Sequence, residues 1–265
     1  DLVRSRGLGD VYKRQPSMKL PLPVDAFIAS SLRITKTLQA LHSKRIPVFT
    51  VPPAVDSHFF QTNGELGARR KTGLYVGNLS RGRFPNELFG ILREVIRLDP
   101  GISFRIIAPV NRINIARAHE IRKICKSLRI HDKVIVSIRD IEAEEKMKEY
   151  LTAKCFIFAP IRECHEAIEP PLTVLEALAS GLPVLATDTY SVREAVIPSE
   201  NGLLVSVENY TDLVDEALSM FQADQSRWQD WSLEARRIAI NNFSISCASR
   251  RLANIHSTVL GNQNP

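Results

Sequence analysis

Short apolar runs alternate with amphipathic stretches between residues 73 and 206. Each run contains four to six residues, mostly continuous rather than alternating in polarity, and the set is rich in Ile, Val and Leu. Continuous runs of this length are typical of strands that are buried on both faces. We therefore predict six buried strands, at residues 73–77, 103–108, 133–137, 155–159, 183–187 and 203–206.

The stretches between these runs have the spacing of helices that are apolar on one side. Residues 142–152 begin with acidic side chains, which the helix dipole favours. Strands that alternate with such helices form βαβ units with right-handed crossovers. The predicted fold class is therefore α/β, with a doubly wound, Rossmann-like parallel sheet. The apolar faces of the two clearest helices, 86–98 and 112–128, contain Leu88, Leu92, Val95 and Ile96, and Ile113, Ala116, Ile121, Ile124 and Leu128.

The chain on either side of this region has a different pattern. After Asn209 it is helical over residues 210–221, 225–243 and about 246–260. Before residue 61 it contains an apolar run (26–29), a basic amphipathic helix (32–41) and a second apolar run (48–51). We interpret residues 16–60 as the end of a preceding domain with its linker, and residues 61–265 as one domain with C-terminal helices. A polar, basic connector opens that domain at residues 61–71.

Residues 1–15 contain the segment RGLGDVYKRQ, which resembles a translated sequencing-adapter read-through. On that interpretation they encode no structure, and the reading frame is truncated at its N-terminus. The alternative is a natural basic arm.

Composition and charge narrow the classes of function. The net charge of +6 comes from basic residues spread along the chain, which argues against a nucleic-acid partner. No run approaches the roughly 18 apolar residues of a membrane-spanning helix, and no secretory signal is visible. The four cysteines, Cys125, Cys155, Cys164 and Cys247, lack metal-ligand spacing. We expect them to be reduced thiols of a cytoplasmic protein, with no metal and no cofactor.

One loop has the composition of an anion site. It covers residues 160–176 (PIRECHEAIEPPLTVLE), between a predicted buried strand and the helix 172–180. Because prolines precede this helix, we expect the N–H groups of Thr173 and Val174 to lack partners and to bind a diphosphate. Glu176, about one turn further, can accept two hydrogen bonds from a vicinal diol such as ribose, and Glu169 can reach a sugar hydroxyl. The alternative is that both glutamates are structural or solvated.

A second loop follows the run GLYVG and covers residues 78–85. Gly77 permits close approach of the backbone to a ligand at the end of the strand. Arg81 or Arg83 can neutralise phosphate charge that would otherwise need a metal. The alternative is a solvated basic turn. In an open parallel sheet, ligands bind at the carboxyl ends of strands, so both loops are candidates for the site.

Several segments together resemble one family. FIFAPIRECHEAIEPPLTVLEALASGLPVLATD, residues 156–188, resembles the donor-site signature of the family-4 retaining glycosyltransferases, which have the two-domain GT-B fold. YVGNLSRGRFP, residues 75–85, resembles the first strand and phosphate loop of that family. AVIPSENGLLV, residues 195–205, resembles the segment after a family glutamate, which Glu194 matches. The resemblance spans about residues 25–260. It implies that the chain begins with the end of the domain that binds the sugar acceptor and continues with the domain that binds the sugar donor.

The resemblance implies a function for each of these positions. The domain would bind a nucleotide-diphosphate sugar, and the enzyme would transfer the sugar without a metal and with retention at the anomeric carbon. By position, Glu176 binds the ribose, Glu169 the donor sugar, the N–H groups of Thr173 and Val174 the diphosphate, and Arg83 the phosphate charge. The resemblance does not identify the acceptor. Any peripheral membrane association is expected to involve the acceptor domain, of which this reading frame is expected to contain only the end.

Three departures from the family pattern leave alternatives open. Six residues separate Glu169 and Glu176, where the family usually has seven, so that Ile168 is the other candidate for the first position. Asn78 stands where arginine is common, which makes Arg81 a substitute. Tyr190 and Ser191 replace paired glycines. These departures favour a rival, a non-catalytic module that serves as a binding or partner subunit. A sugar-nucleotide epimerase on the same architecture is a second rival.

Overall fold

The computed structural model describes residues 24–41, 46–56, 59, 70–161, 169–189 and 191–261. The expectations for residues 1–15, Cys164, Ile168 and Tyr190 concern positions outside the described residues. The same holds for most of the predicted connector.

Six parallel strands form the sheet that organises the molecule, which confirms the predicted fold class. The strands are β3 (Thr72–Val76), β4 (Ser103–Ala108), β5 (Val134–Ile138), β6 (Cys155–Phe158), β7 (Val184–Thr187) and β8 (Gly202–Val205). They pair in the order β5-β4-β3-β6-β7-β8. Each strand begins and ends within one residue of its prediction, because continuous apolar runs are typical of buried strands.

Helices connect these strands and cover the sheet. Every residue of β6 and of β7 is buried. Since successive side chains of a strand point to opposite faces, both faces of the central sheet must be covered. The connecting helices are α2 (Glu87–Leu98), α3 (Arg112–Ser127), α4 (Ala143–Thr152) and α5 (Leu172–Ala179).

The buried face of α3 differs from the prediction. Ile113 is 64% exposed, and Ala116 is exposed as well. The buried stripe instead contains two polar residues, Asn114 and Arg117, followed by Ala118, Ile121 and Cys125. The apolar pattern was misleading because these two polar side chains bind backbone groups of a neighbouring loop and therefore belong on the inner side.

The N-terminal part forms a separate small unit. Strands β1 (Phe27–Ala29) and β2 (Val48–Thr50) pair in parallel, and helix α1 (Leu32–Leu41) connects them. Both strands and the helix lie where the sequence predicts them. Val55, a little further along the chain, donates its N–H to the carbonyl of Phe243 at 2.7 Å, so this segment also contacts the C-terminal helices.

Three helices end the described chain: α6 (Leu213–Gln222), α7 (Gln225–Phe243) and α8 (Ile245–Gly261). A 3-10 helix, Val207–Asp212, occupies the predicted start of α6. Trp228 and Trp231 on α7 are buried, and each indole N–H donates to a backbone carbonyl. No residue of α8 is buried. None of the described helices has the length and apolar character needed to cross a membrane.

Candidate functional site

The strand order creates a crevice between β3 and β6. The chain runs from β3 outward to β4 and β5, returns to β6 beside β3, and then continues outward to β7 and β8. In doubly wound sheets, ligands bind at such a reversal point, outside the carboxyl ends of the strands. The two loops singled out in the sequence follow β3 and β6. They therefore leave the sheet from adjacent strands, at the same edge.

The loop after β3 has a defined shape. Gly77 adopts a φ of 151°, and a Cβ atom there would lie 3.2 Å from the hydroxyl of Tyr75. That hydroxyl donates to the carbonyl of Asn78 at 2.6 Å. The side chain of Asn78 in turn accepts the N–H of Ser80 at 3.0 Å. Glycine is therefore favoured at the strand end, and Asn78 stabilises the turn from within.

Two buried side chains of α3 hold this loop, and sequence reasoning missed both. Asn114 accepts the N–H of Leu79 at 2.9 Å. Arg117 donates to the carbonyls of Leu79 and Phe84 at 3.2 and 3.0 Å. Polar residues three apart inside an otherwise apolar stripe were the available signal, because buried polar groups need hydrogen-bond partners.

The two arginines of the loop have different surroundings. Arg81 is 67% exposed in its side chain and pairs with Glu120 at 2.7 Å. Glu120 also lies 2.8 Å from Arg117. The guanidinium of Arg117, more than that of Arg81, lowers the pKa of Glu120. Arg83 is half-buried, and no charged side chain among the described residues pairs with it. Of the two, Arg83 is therefore the arginine without an ion pair in the part of the chain that the structure describes.

The first turn of α5 departs from expectation at Val174. Its N–H is not unpaired, since it donates to the carbonyl of Pro171 at 3.0 Å, and the N–H of Leu175 donates to the same carbonyl at 3.2 Å. Pro171 is the N-cap of the helix rather than its first residue, and the turn is tight enough for Val174 to reach back. Within the described residues, only the N–H groups of Leu172 and Thr173 lack an acceptor in this turn.

Glu176 is buried in the second turn of α5, at 5% exposure. Lys146 on α4 lies 2.9 and 3.0 Å from its two carboxylate oxygens, and the hydroxyl of Tyr150 donates to Oε2 at 2.9 Å. Complete burial, together with the neighbouring Glu176 carboxylate, raises the pKa of Tyr150 well above its ordinary value. Three bonds leave part of the acceptor capacity of the carboxylate unused.

Glu169 is also buried, at 4% exposure. Arg33 on α1 donates from both Nε, at 2.8 Å, and Nη2 to the two carboxylate oxygens. Ser191 donates its hydroxyl to Oε2 at 2.9 Å. The backbone of Ser191 has a φ of 55°, the left-handed region that glycine enters without strain. Serine thus keeps a conformation that suits glycine and adds a hydrogen bond to Glu169.

Glu194 and Gly181 stabilise helix ends near the site. Both carboxylate oxygens of Glu194 accept the N–H of Leu32, each at 3.0 Å, at the start of α1. Gly181 ends α5 with a φ of 69°, and the N–H of Leu182 then donates to the carbonyl of Ala177 at 2.9 Å. This pattern is a glycine-terminated helix end. No cluster of His, Cys, Asp or Glu suited to a metal ion occurs in the part of the chain that the structure describes.

A family match covers most of the chain. The sequence model described as glycosyl transferases group 1 matches residues 60–237. A curated relative, the D-inositol 3-phosphate glycosyltransferase of Nocardia farcinica, is 26% identical over 222 residues, which cover 80% of this chain and 48% of the relative. The chain spans about half the length of such curated relatives.

Solved structures share the fold. The pneumococcal O-GlcNAc transferase GtfA, in complex with UDP and GlcNAc, matches with a TM-score of 0.71 at 19% identity, over 97% of this chain and 48% of its own. HepE of Anabaena, in complex with UDP and glucose, matches with a TM-score of 0.70 at 14% identity, over 88% of this chain and 63% of its own. Identities this low establish the architecture alone. The family match over residues 60–237 and the order of the strands show that the chain belongs to the group 1 glycosyl transferases and has the α/β architecture of their GT-B fold.

Proposed function

We propose that this chain is the donor-binding half of a retaining glycosyltransferase, which transfers a sugar from a nucleotide-diphosphate sugar to an acceptor. The observation that carries the proposal is a set of open donors at two adjacent strand ends. These donors are the N–H groups of Leu172 and Thr173 after β6 and the guanidinium of Arg83 after β3. Glu176 and Glu169 stand on either side of the same helix start.

The diphosphate is assigned to the start of α5. Unpaired N–H groups at a helix N-terminus, reinforced by the helix dipole, form an anion site. Thr173 supplies one of them and Leu172 the other, since the N–H of Val174 donates to the carbonyl of Pro171 and is occupied. Arg83 adds a positive charge from the neighbouring loop, so no metal is required to neutralise the phosphates. Gly77 lets the backbone of that loop come close.

The ribose is assigned to Glu176. Its carboxylate retains acceptor capacity beyond the bonds from Lys146 and Tyr150, and it lies one turn inside the helix whose N-terminus binds the diphosphate. Lys146 fixes the carboxylate from α4. Binding of a diol to both oxygens would require the ammonium to shift, so Lys146 tunes the strength of this contact.

Glu169 is assigned to the donor sugar. Arg33 and Ser191 hold its carboxylate, which accepts a sugar hydroxyl and orients the ring. When the bond from the anomeric carbon to the diphosphate oxygen breaks, negative charge grows on the departing nucleotide. Arg83 and the amides of α5 stabilise that charge in the transition state. The hydroxyl oxygen of the acceptor bonds to the anomeric carbon on the same face of the sugar, and its proton passes to the departing diphosphate.

The free thiols Cys125, Cys155 and Cys247 support a cytoplasmic location. In this proposal, acceptor binding and any peripheral attachment to a membrane belong to the half of the relatives' length that this chain does not span. Because the chain spans about half of its curated relatives, transferase activity is proposed for the complete protein rather than for this part of it.

A non-catalytic module that serves as a binding or partner subunit is the second candidate, and it predicts no saturable binding of a nucleotide sugar. The six-residue spacing between Glu169 and Glu176 favours it. The conformation of Ser191 favours an intact site instead, because Ser191 keeps the left-handed backbone that a glycine would supply.

A sugar-nucleotide epimerase is the other alternative. It would convert one nucleotide sugar into another without any acceptor.

Calorimetric titration with UDP, GDP and their sugars tests the proposal. We expect saturable binding of one nucleotide series with a stoichiometry of one, and no change in a bound nucleotide sugar over hours without an acceptor. The absence of saturable binding to either series would refute the donor site. Appearance of an epimerised sugar would replace the transferase by an epimerase.

A further inference from the structure

The N-terminal end of α1 contacts the candidate donor site through two carboxylates. The N–H of Leu32 donates to Glu194, 162 residues further along the chain. The next residue, Arg33, donates to Glu169, 136 residues further. Two adjacent residues of the N-terminal unit thus bind both loops that follow β6 and β7.

We propose that Arg33 is a positioning residue for Glu169, so that the sugar-binding half of the donor site is complete only when α1 lies against it. This inference rests on the proposed function. It assigns to the segment before the donor domain a part in sugar recognition, and it leaves nucleotide binding to the donor domain itself.

The geometry gives the reason for this role. Glu169 is 4% exposed, and a buried carboxylate needs charged or hydrogen-bonding partners. The planar guanidinium of Arg33 donates to both oxygens, one of them at 2.8 Å from Nε, which fixes the plane of the carboxylate as well as its place. The hydroxyl of Ser191 fixes Oε2 from the other chain segment, at 2.9 Å.

Without Arg33, the hydroxyl of Ser191 would be the one remaining hydrogen-bond donor to this carboxylate among the described residues. A buried carboxylate that loses its cation turns toward water or takes up a proton, and in either case it loses the orientation that a sugar hydroxyl needs. The proposed nucleotide contacts lie elsewhere, on the loop of Arg83 and in α5, and the hydrogen bonds of the Arg33 guanidinium within the described part of the chain go to Glu169. The sugar contribution to affinity should therefore fall while nucleotide affinity stays.

The side chain of Arg33 is 51% exposed, so its replacement removes little packed surface, and nucleotide binding serves as the check that each variant is folded. Lys36, one turn further on the same helix and exposed, provides the matched control. We would measure the affinities of Arg33→Ala, Arg33→Lys and Lys36→Ala for UDP and UDP-glucose, or for GDP and GDP-mannose if the unaltered chain prefers guanine. Arg33→Ala should weaken nucleotide-sugar binding roughly tenfold relative to nucleotide binding, since a charge-assisted pair is lost.

The nucleotide-sugar affinity of Arg33→Lys should lie between those of the wild type and Arg33→Ala, because lysine keeps the positive charge but cannot donate to both carboxylate oxygens in one plane. The affinities of Lys36→Ala should match those of the wild type. A double-mutant cycle with Glu169→Gln separates positioning from a direct sugar contact. If Arg33 acts through Glu169, the double variant loses no more than the stronger single variant. Additive losses, or equal losses for nucleotide and nucleotide sugar, would overturn the inference. If the unaltered chain binds no nucleotide, the donor-site proposal itself fails, and this inference fails with it.

Discussion

Lys146 and Glu176 form an ion pair that joins α4 to the second turn of α5, with the ammonium 2.9 and 3.0 Å from the two carboxylate oxygens. The side chains are 22% and 7% exposed, so the pair is largely shielded from water. It sets the position of the carboxylate assigned to the ribose.

Replacement of Lys146 by methionine should destabilise the fold. The carboxylate of Glu176 would keep only the hydroxyl of Tyr150, and a buried charge without its partner is costly. We expect a loss of about 1–3 kcal/mol in the free energy of unfolding, measured by urea denaturation. Lys148→Met, at an exposed position of the same helix, is the control and should change it by less than about 0.5 kcal/mol.

The double variant Lys146→Met, Glu176→Gln should recover much of that loss, because both charges are then absent. Strictly additive losses would mean that the two side chains do not act as a pair.

Arg83 and Arg81 should differ in their effect on nucleotide affinity. Arg83 has no charged partner among the described residues, whereas Arg81 is exposed and pairs with Glu120. Arg83→Ala should lower the affinity for the nucleoside diphosphate roughly tenfold and reduce its salt dependence. Arg81→Ala should change this affinity by no more than about twofold, since Arg81 is exposed and already paired with Glu120, and exposed ion pairs contribute little free energy. Equal losses in calorimetry would show that the loop acts as a general basic surface.

The sequence was sufficient for the elements and for the crevice between them. The strands were predictable because each is a continuous apolar run. The position of the candidate site at one edge of the sheet was predictable because both unusual loops follow strands, and its function stays a prediction. The partners of the two glutamates were not predictable. Arg33 lies 136 residues from Glu169, and no local pattern indicates which helix turn meets which carboxylate. Asn114 and Arg117 were missed because a polar residue in an amphipathic helix is normally assigned to the solvent side.

The glycine that ends α5 should be intolerant of a side chain. Gly181 has a φ of 69°, and a Cβ atom would lie 2.8 Å from the hydroxyl oxygen of Ser232. Gly181→Ala should therefore lower the free energy of unfolding by about 1–3 kcal/mol. Gly90, in the interior of α2, has nothing within 4 Å of the added atom. Gly90→Ala should stabilise by about 0.5–1 kcal/mol in the same denaturation assay, and two changes of the same sign would contradict this reading of the helix end.

Stability should fall at alkaline pH through the buried thiol of Cys155. Burial raises its pKa from the ordinary 9.0 to about 12. A group whose pKa is raised in the folded state stabilises the fold fully below its unfolded pKa, and this contribution is lost as the pH rises toward the folded value. Above pH 9 the unfolded chain releases a proton that the folded chain keeps, which costs about 1.4 kcal/mol per pH unit.

The variant Cys155→Ala lacks this titration. Its free energy of unfolding, measured by denaturant titration from pH 8 to pH 11, should approach that of the wild type as the pH rises above 9. A constant difference between the two curves would show that Cys155 does not titrate in this way.

The most direct test of the central claim is calorimetric titration of the chain and of Glu176→Gln with UDP and GDP. Glu176→Gln keeps the shape of the side chain but removes the charge that accepts the two ribose hydroxyls. The account predicts saturable binding of one nucleotide to the unaltered chain and an affinity at least about tenfold lower for the folded variant. Equal affinities for the two proteins, or no saturable binding to either, would contradict it.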